Sequence, residues 1–143
     1  MAIQIALGMV MIIITTVIQS GFTVAGVRAL RRRVSKELTR SLWHSTLILA
    51  LFVLWLFLAT LLQVWTWALL YLALNAVGTT EEAAYFSMET FTTLGYGDIT
   101  LEQNWRLLSA FEAANGLLMF GWSTALVFAA VQWIYRMRTQ APS

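Results

Sequence analysis

The run Thr92-Thr93-Leu94-Gly95-Tyr96-Gly97-Asp98 lies between two apolar segments, each long enough to cross a bilayer. Gly95 and Gly97 stand at alternate positions, where they open backbone angles that residues with a side chain avoid. A lone GYG describes an ordinary tight turn, but seven residues in this order between two membrane helices describe something more specific. The heptad belongs to a stretch, Thr79 to Thr100, that is too polar to span a membrane and too apolar to be a free loop. Bilayers tolerate irregular backbone only where protein buries it or where it lines a water-filled path. Thr79 and Glu82 have the T-x-x-E spacing of a capping box, and Glu81 and Glu82 complement the positive end of a helix. This predicts a short helix over 79–91 that delivers the chain directly to the heptad.

Around this stretch, 59% of the 143 residues are hydrophobic and 11% are charged, against about 25% charged in soluble domains. Met1 to Val27 and Ser41 to Thr80 carry no charge, and Leu107 to Tyr135 carries only Glu112. Each exceeds the roughly 20 apolar residues a membrane helix needs. The first lacks a basic start and an A-x-A site, so it reads as a retained helix rather than a cleaved signal. With no cysteine and one histidine, His44, the chain has no thiolate or multi-histidine metal site, and no catalytic constellation points to an enzyme or to a cofactor. Arg28, Arg31, Arg32, Arg33, Lys36 and Arg40 form a basic run, and Arg136 and Arg138 follow the last segment. Positive flanks stay in the cytoplasm. This predicts an N-terminus outside, a C-terminus inside, and Glu81, Glu82, Asp98 and Glu102 on the outer side. Trp43 against Trp65 and Trp67, and Trp105 against Trp133, fit the two interfacial belts. The net charge of +2 thus reflects membrane topology rather than nucleic-acid binding.

The heptad resembles the selectivity filter of potassium channels, in which four T-V-G-Y-G loops replace an ion's hydration shell with carbonyl oxygens. The resemblance implies that Thr93, Leu94, Gly95 and Tyr96 hold K+, with Gly97 completing the filter, Thr93 adding its hydroxyl as the innermost ring, and Leu94 and Tyr96 bracing from behind. Leu94 departs from the usual valine or isoleucine. Thr92, Glu89, Asp98 and Tyr85 are the implied filter support. Glu89 precedes Asp98 by nine residues, the spacing of the pair that shares a proton in the bacterial proton-gated potassium channel. Tyr85 is placed to add a hydrogen bond to Asp98. Phe86 stands where that family places a tryptophan donor. Gly116, Phe120 and Gly121 match the G-x-x-x-F-G pattern of the channel's inner helix, a hinge and gate region, with Thr124 and Ala125 below it; the same small residues also suit helix packing.

The implied architecture is an all-α integral membrane protein. It has three transmembrane helices plus a re-entrant pore helix and selectivity-filter loop, assembled as a four-fold symmetric homotetramer. The expected segments are an extra N-terminal helix over 1–27, a basic cytoplasmic linker over 28–41, a pore domain over 42–136 and a tail over 137–143. Within the pore domain, the outer helix is expected over 42–72, the pore helix over 79–91, the filter over 92–98 and the inner helix over 105–136. The first helix is expected to pack on the outside of the second. Passive K+ flow across the plasma (inner) membrane is the implied function, with K+ as substrate. Rival readings are a pore subunit of a potassium-uptake system, a weakly selective cation channel, and a non-conducting modulatory partner. Glu112, an acid inside a membrane helix, is either a pore-facing carboxylate or a structural partner of Asn115, Thr90 or Ser87. His44 is either a proton sensor or an interfacial histidine. The basic run is bunched outside an uncharged helix, unlike a voltage sensor. It suits anionic lipid headgroups at Arg28, Arg31, Arg32, Arg33, Lys36 and Arg40.

Overall fold

A computed structural model describes residues 1–37 and 42–139, with the side chains of 1–32 and 43–137. Four helices follow in order: α1 (Ala2–Glu37), α2 (Leu42–Ala73), α3 (Thr80–Phe91) and α4 (Arg106–Thr139). No strand occurs among the described residues. The apolar spans Ala2–Arg32, Trp43–Ala73 and Arg106–Met137 hold 31, 31 and 32 residues. At a rise of 1.5 Å per residue each extends roughly 46 Å, beyond the roughly 30 Å hydrocarbon core. The chain is an all-α, multi-pass membrane protein.

Two boundaries differ by more than one residue from the sequence expectation. The basic stretch expected as a linker over 28–41 is helical as far as Glu37, because no glycine or proline interrupts Val27 to Glu37 and alanine, leucine and arginine favour helix. Its remainder, 38–41, lies outside the described residues. The last helix continues through Thr139 rather than ending at 136, since only Pro142 would stop it.

Helix α1 packs against both α2 and α4, and not on the outside of α2 alone. Polar side chains that an apolar helix would otherwise leave unpaired in lipid hold it there. The Gln4 amide donates to the Asn104 carbonyl. Asn115 Nδ2 donates to Thr15 Oγ1 at 2.8 Å. Gln63 Nε2 donates to Gln19 Oε1 at 2.8 Å, and Gln19 Nε2 donates to Ser123 Oγ at 3.1 Å. Lower down, Trp55 Nε1 donates to the Phe22 carbonyl at 2.9 Å, and Leu30 joins a cluster with Ile48, Phe52, Leu56, Ala130 and Ile134. The start of α1 therefore lies at the same end as the segment before α4. The basic end of α1 lies beside the start of α2 and the end of α4.

The upper core gathers Val64, Trp67 and Tyr71 of α2, Phe86 and Phe91 of α3, and Leu108 and Met119 of α4, with Met11 of α1. Phe86 meets Tyr71 edge-on at 5.2 Å. It serves the core at a position where the resembling family has a polar aromatic.

Candidate functional site: the loop at the end of α3

Helix α3 starts on the capping box read from the sequence. Thr79 Oγ1 accepts the Glu82 N–H at 3.2 Å, and Glu82 Oε2 accepts the Thr79 N–H at 3.0 Å. At the other end the Thr92 N–H still reaches the Met88 carbonyl at 3.1 Å, and the Thr93 N–H reaches Thr90 at 2.9 Å. The chain then leaves the helix, and its next three N–H groups turn to one residue. Leu94 N and Gly95 N donate to the Glu89 carbonyl at 2.8 and 3.3 Å, and Tyr96 N donates to Glu89 Oε2 at 3.2 Å.

Every peptide bond here is trans, so each carbonyl points opposite the N–H of its own peptide plane. The carbonyls of Thr93, Leu94 and Gly95 are consequently directed away from Glu89. Left-handed backbone at alternate residues produces this turn of the chain: φ is +60° at Thr93, +56° at Gly95 and +79° at Gly97. Such alternation lines up successive N–H groups on one side. The two glycines take these angles freely. Thr93 does so at roughly 1–2 kcal/mol, a requirement its identity does not announce.

The Glu89 and Asp98 side chains come together within hydrogen-bonding reach of each other, and each carboxylate also has a donor of its own. Glu89, 4% exposed, takes the Tyr96 N–H, while Asp98 Oδ2 takes the Tyr85 hydroxyl at 3.0 Å. Thr92 Oγ1 donates to the Met88 carbonyl at 2.8 Å, closing the last turn of α3. Leu94 and Tyr96 are 55% and 69% exposed in the single chain, so any bracing of the loop by these side chains comes from outside it. An open groove of about 550 Å³ runs alongside, lined by Phe86, Glu89, Thr93, Gly95, Arg106 and Ala110.

The other face of α3 forms a tight seam. Glu112 of α4 is fully buried, so it does not face an open path. Its Oε2 accepts the Tyr71 hydroxyl at 2.5 Å, and its Oε1 lies 2.5 Å from Ser87 Oγ. Ser87 Oγ also lies 2.8 Å from the Val64 carbonyl. Of the partners weighed for Glu112, Ser87 is the one used. Asn115 is engaged with Thr15 instead, and Tyr71 enters from α2 without a sequence signal beyond being a hydroxyl in an uncharged helix. One turn further along both helices, α4 approaches so closely at Gly116 that a Cβ there would collide with the Phe91 carbonyl. Ser87 to Phe91 and Glu112 to Gly116 are matching i, i+4 steps, so α3 and α4 run side by side in register.

Gly116 is therefore a point of contact, whereas a Cβ on Gly121 would meet nothing within 4 Å. Phe120 packs edge-on against Phe91 at 5.9 Å, and Thr124 and Ala125 are exposed. His44 is exposed near the start of α2. Arg28, Arg31 and Arg32 are exposed toward the end of α1; the side chains of Arg33, Lys36 and Arg40 lie outside the described residues.

Three helices long and apolar enough to cross a membrane thus hold a short helix and an irregular loop among them. Residues 46–132, more than half of the chain, match the family described as Ion channel, and the chain belongs to that family. No curated protein and no solved structure matches the chain. Membership supports ion conduction in general, a channel's role.

Proposed function

We propose that the chain is one subunit of a homotetrameric potassium-selective channel whose filter is the 92–98 loop. The observation that carries this is the set of three N–H groups gathered by Glu89, which leaves the carbonyls of Thr93, Leu94 and Gly95 directed away from Glu89. Four such loops around an axis would stack rings of oxygens that substitute for water around K+. One chain supplies a quarter of each ring. Exposed Leu94 and Tyr96, and the groove beside the loop, suit contacts with neighbouring copies. Helix α3 ends at the loop, so its C-terminal carbonyls offer partial negative charge where a cation crosses mid-membrane. Ions in adjacent sites repel, which keeps binding from becoming a trap.

In this proposal the basic ends at Arg28, Arg31, Arg32 and Arg136 face the cytoplasm of a plasma (inner) membrane and anionic headgroups, and the N-terminus faces outward. K+ is cargo, and no cofactor takes part. The inner helix bends at Gly121, where space permits it, and not at Gly116. Purified protein in liposomes is expected to pass K+ over Na+ by about tenfold or more, roughly 1.4 kcal/mol in barrier, and to be blocked by barium. Equal K+ and Na+ flux under matched gradients refutes the proposal.

A further inference from the structure

The seam between α3 and α4 has a hydrogen count that does not close with an ionised carboxylate. Two hydroxyls, Tyr71 and Ser87, meet Glu112, and each hydroxyl has one hydrogen to give. Tyr71 gives its hydrogen to Oε2 across 2.5 Å. Ser87 Oγ has two acceptors in range, the Val64 carbonyl at 2.8 Å and Glu112 Oε1 at 2.5 Å. A carbonyl can only accept, so the bond to Val64 uses the serine hydrogen. The shorter contact, from Ser87 Oγ to Oε1, then needs a hydrogen of its own. Were Glu112 ionised, one of these two contacts would place two oxygens with no hydrogen between them, in a fully buried site with no basic side chain among its hydrogen-bond partners. Bare charge at such a depth is costly.

We infer that Glu112 is a neutral acid whose proton is donated to Ser87, closing a chain of hydrogen bonds from α4 through α3 to the Val64 carbonyl of α2, and that it positions the 92–98 loop through α3. The route of this positioning is short. Ser87 lies two residues before Glu89, which collects the N–H groups of Leu94, Gly95 and Tyr96. The in-register contact of Phe91 with Gly116 fixes the same helix one turn later. Sliding α3 along α4 would therefore move Glu89 and the loop with it. The proton assignment stands on the hydrogen count alone; the positioning role rests on the channel reading proposed above.

Glutamine reproduces the neutral acid, with a carbonyl to accept from Tyr71 and an N–H to donate to Ser87, whereas alanine reproduces neither. Infrared difference spectra of wild type against Glu112→Gln at neutral pH should show a carboxylic-acid carbonyl band that the variant lacks. The band should shift in Ser87→Ala, where the acid loses its acceptor. Glu112→Gln should keep the K+/Na+ preference within about twofold of wild type, while Glu112→Ala should reduce it by about tenfold or more, the step that corresponds to roughly 1.4 kcal/mol. A carboxylate band in place of the acid band overturns the inference. So does a Glu112→Gln protein as damaged as Glu112→Ala, since that outcome requires the charge. If Glu112→Ala does not fold, the infrared comparison and the glutamine variant still decide. A folded wild type that passes no ions refutes the channel reading and the positioning role with it, while the infrared arm independently decides the proton.

Discussion

Helix α3 carries two buried acids' worth of contacts on opposite sides, and the two sides are built from different donors. Toward the loop, Glu89 meets backbone N–H groups, which can only donate. Toward α2 and α4, Glu112 meets hydroxyls, which donate or accept. The first side suits an acceptor that holds a flexible segment by several bonds at once. The second suits a neutral acid that joins helices. Glycine serves the two sides for different reasons as well. Gly116 is needed for space, against the Phe91 carbonyl, while Gly95 and Gly97 have open space around them and are needed for their backbone angles. A rigid seam on one face thus lets the other face hold a loop whose own packing within the chain is sparse.

Substitutions that separate the two sides can break this comparison. The largest effect is expected for Gly116→Ala, because backbone cannot move aside as a side chain can. Forcing α4 off α3 should cost about 3 kcal/mol or more, read as a lower unfolding midpoint in detergent, and an unchanged midpoint would show that the close approach is dispensable. Gly95→Ala and Gly97→Ala should cost roughly 1–2 kcal/mol each. They should leave the helices assembled but drive the K+/Na+ flux ratio toward one; a retained preference would remove the loop from selectivity.

Glu89 offers a finer division. Glu89→Ala strips the Tyr96 N–H of its acceptor in a partly buried bond, worth about 1 kcal/mol, while Glu89→Gln keeps a carbonyl in place and should lose less. Faster amide exchange at Tyr96 and shorter single-channel openings in the alanine variant are the expected signs. Longer openings with selectivity intact would mean instead that the Glu89–Asp98 pair strains the loop. The smallest effect is expected for Tyr85→Phe, which removes one exposed hydrogen bond to Asp98. Its single-channel openings should shorten by less than those of Glu89→Ala, and an equal or larger change would put Asp98 and not Glu89 at the centre of loop support.

Much of this layout was legible because membrane helices announce themselves by composition. The three spans follow from uncharged runs, and the start of α3 follows from Thr79 and Glu82, whose side chains interact locally. What was hidden depends on rotation and on long-range pairing. Glu112 could face the pore or the seam, because a helix that is small and apolar on several sides gives its one acid no preferred face. Thr93 carries no mark of its left-handed angle, which the surrounding N–H bonds to Glu89 impose. The seat of α1 between α2 and α4 rests on Thr15 with Asn115 and Gln19 with Gln63 and Ser123, pairings that no local pattern encodes. The helical continuation to Glu37 was readable from propensity alone, but the density of charge favoured a linker.

The polar seat of α1 also bears on how the chain is made. Thr15 and Asn115 are 100 residues apart, a separation that translation at 5–20 residues per second covers in about 5–20 s. During that interval α1 is already in the bilayer, with Gln19 and Thr15 awaiting partners not yet synthesised. Gln63 emerges first and can claim Gln19, so α1 and α2 are set to form a hairpin that the rest of the chain then joins. The order of insertion is in this way written into the side chains. A chain begun at residue 42 would release Gln63, Asn115 and Ser123 into lipid, and should fail at biogenesis before any question of conduction arises.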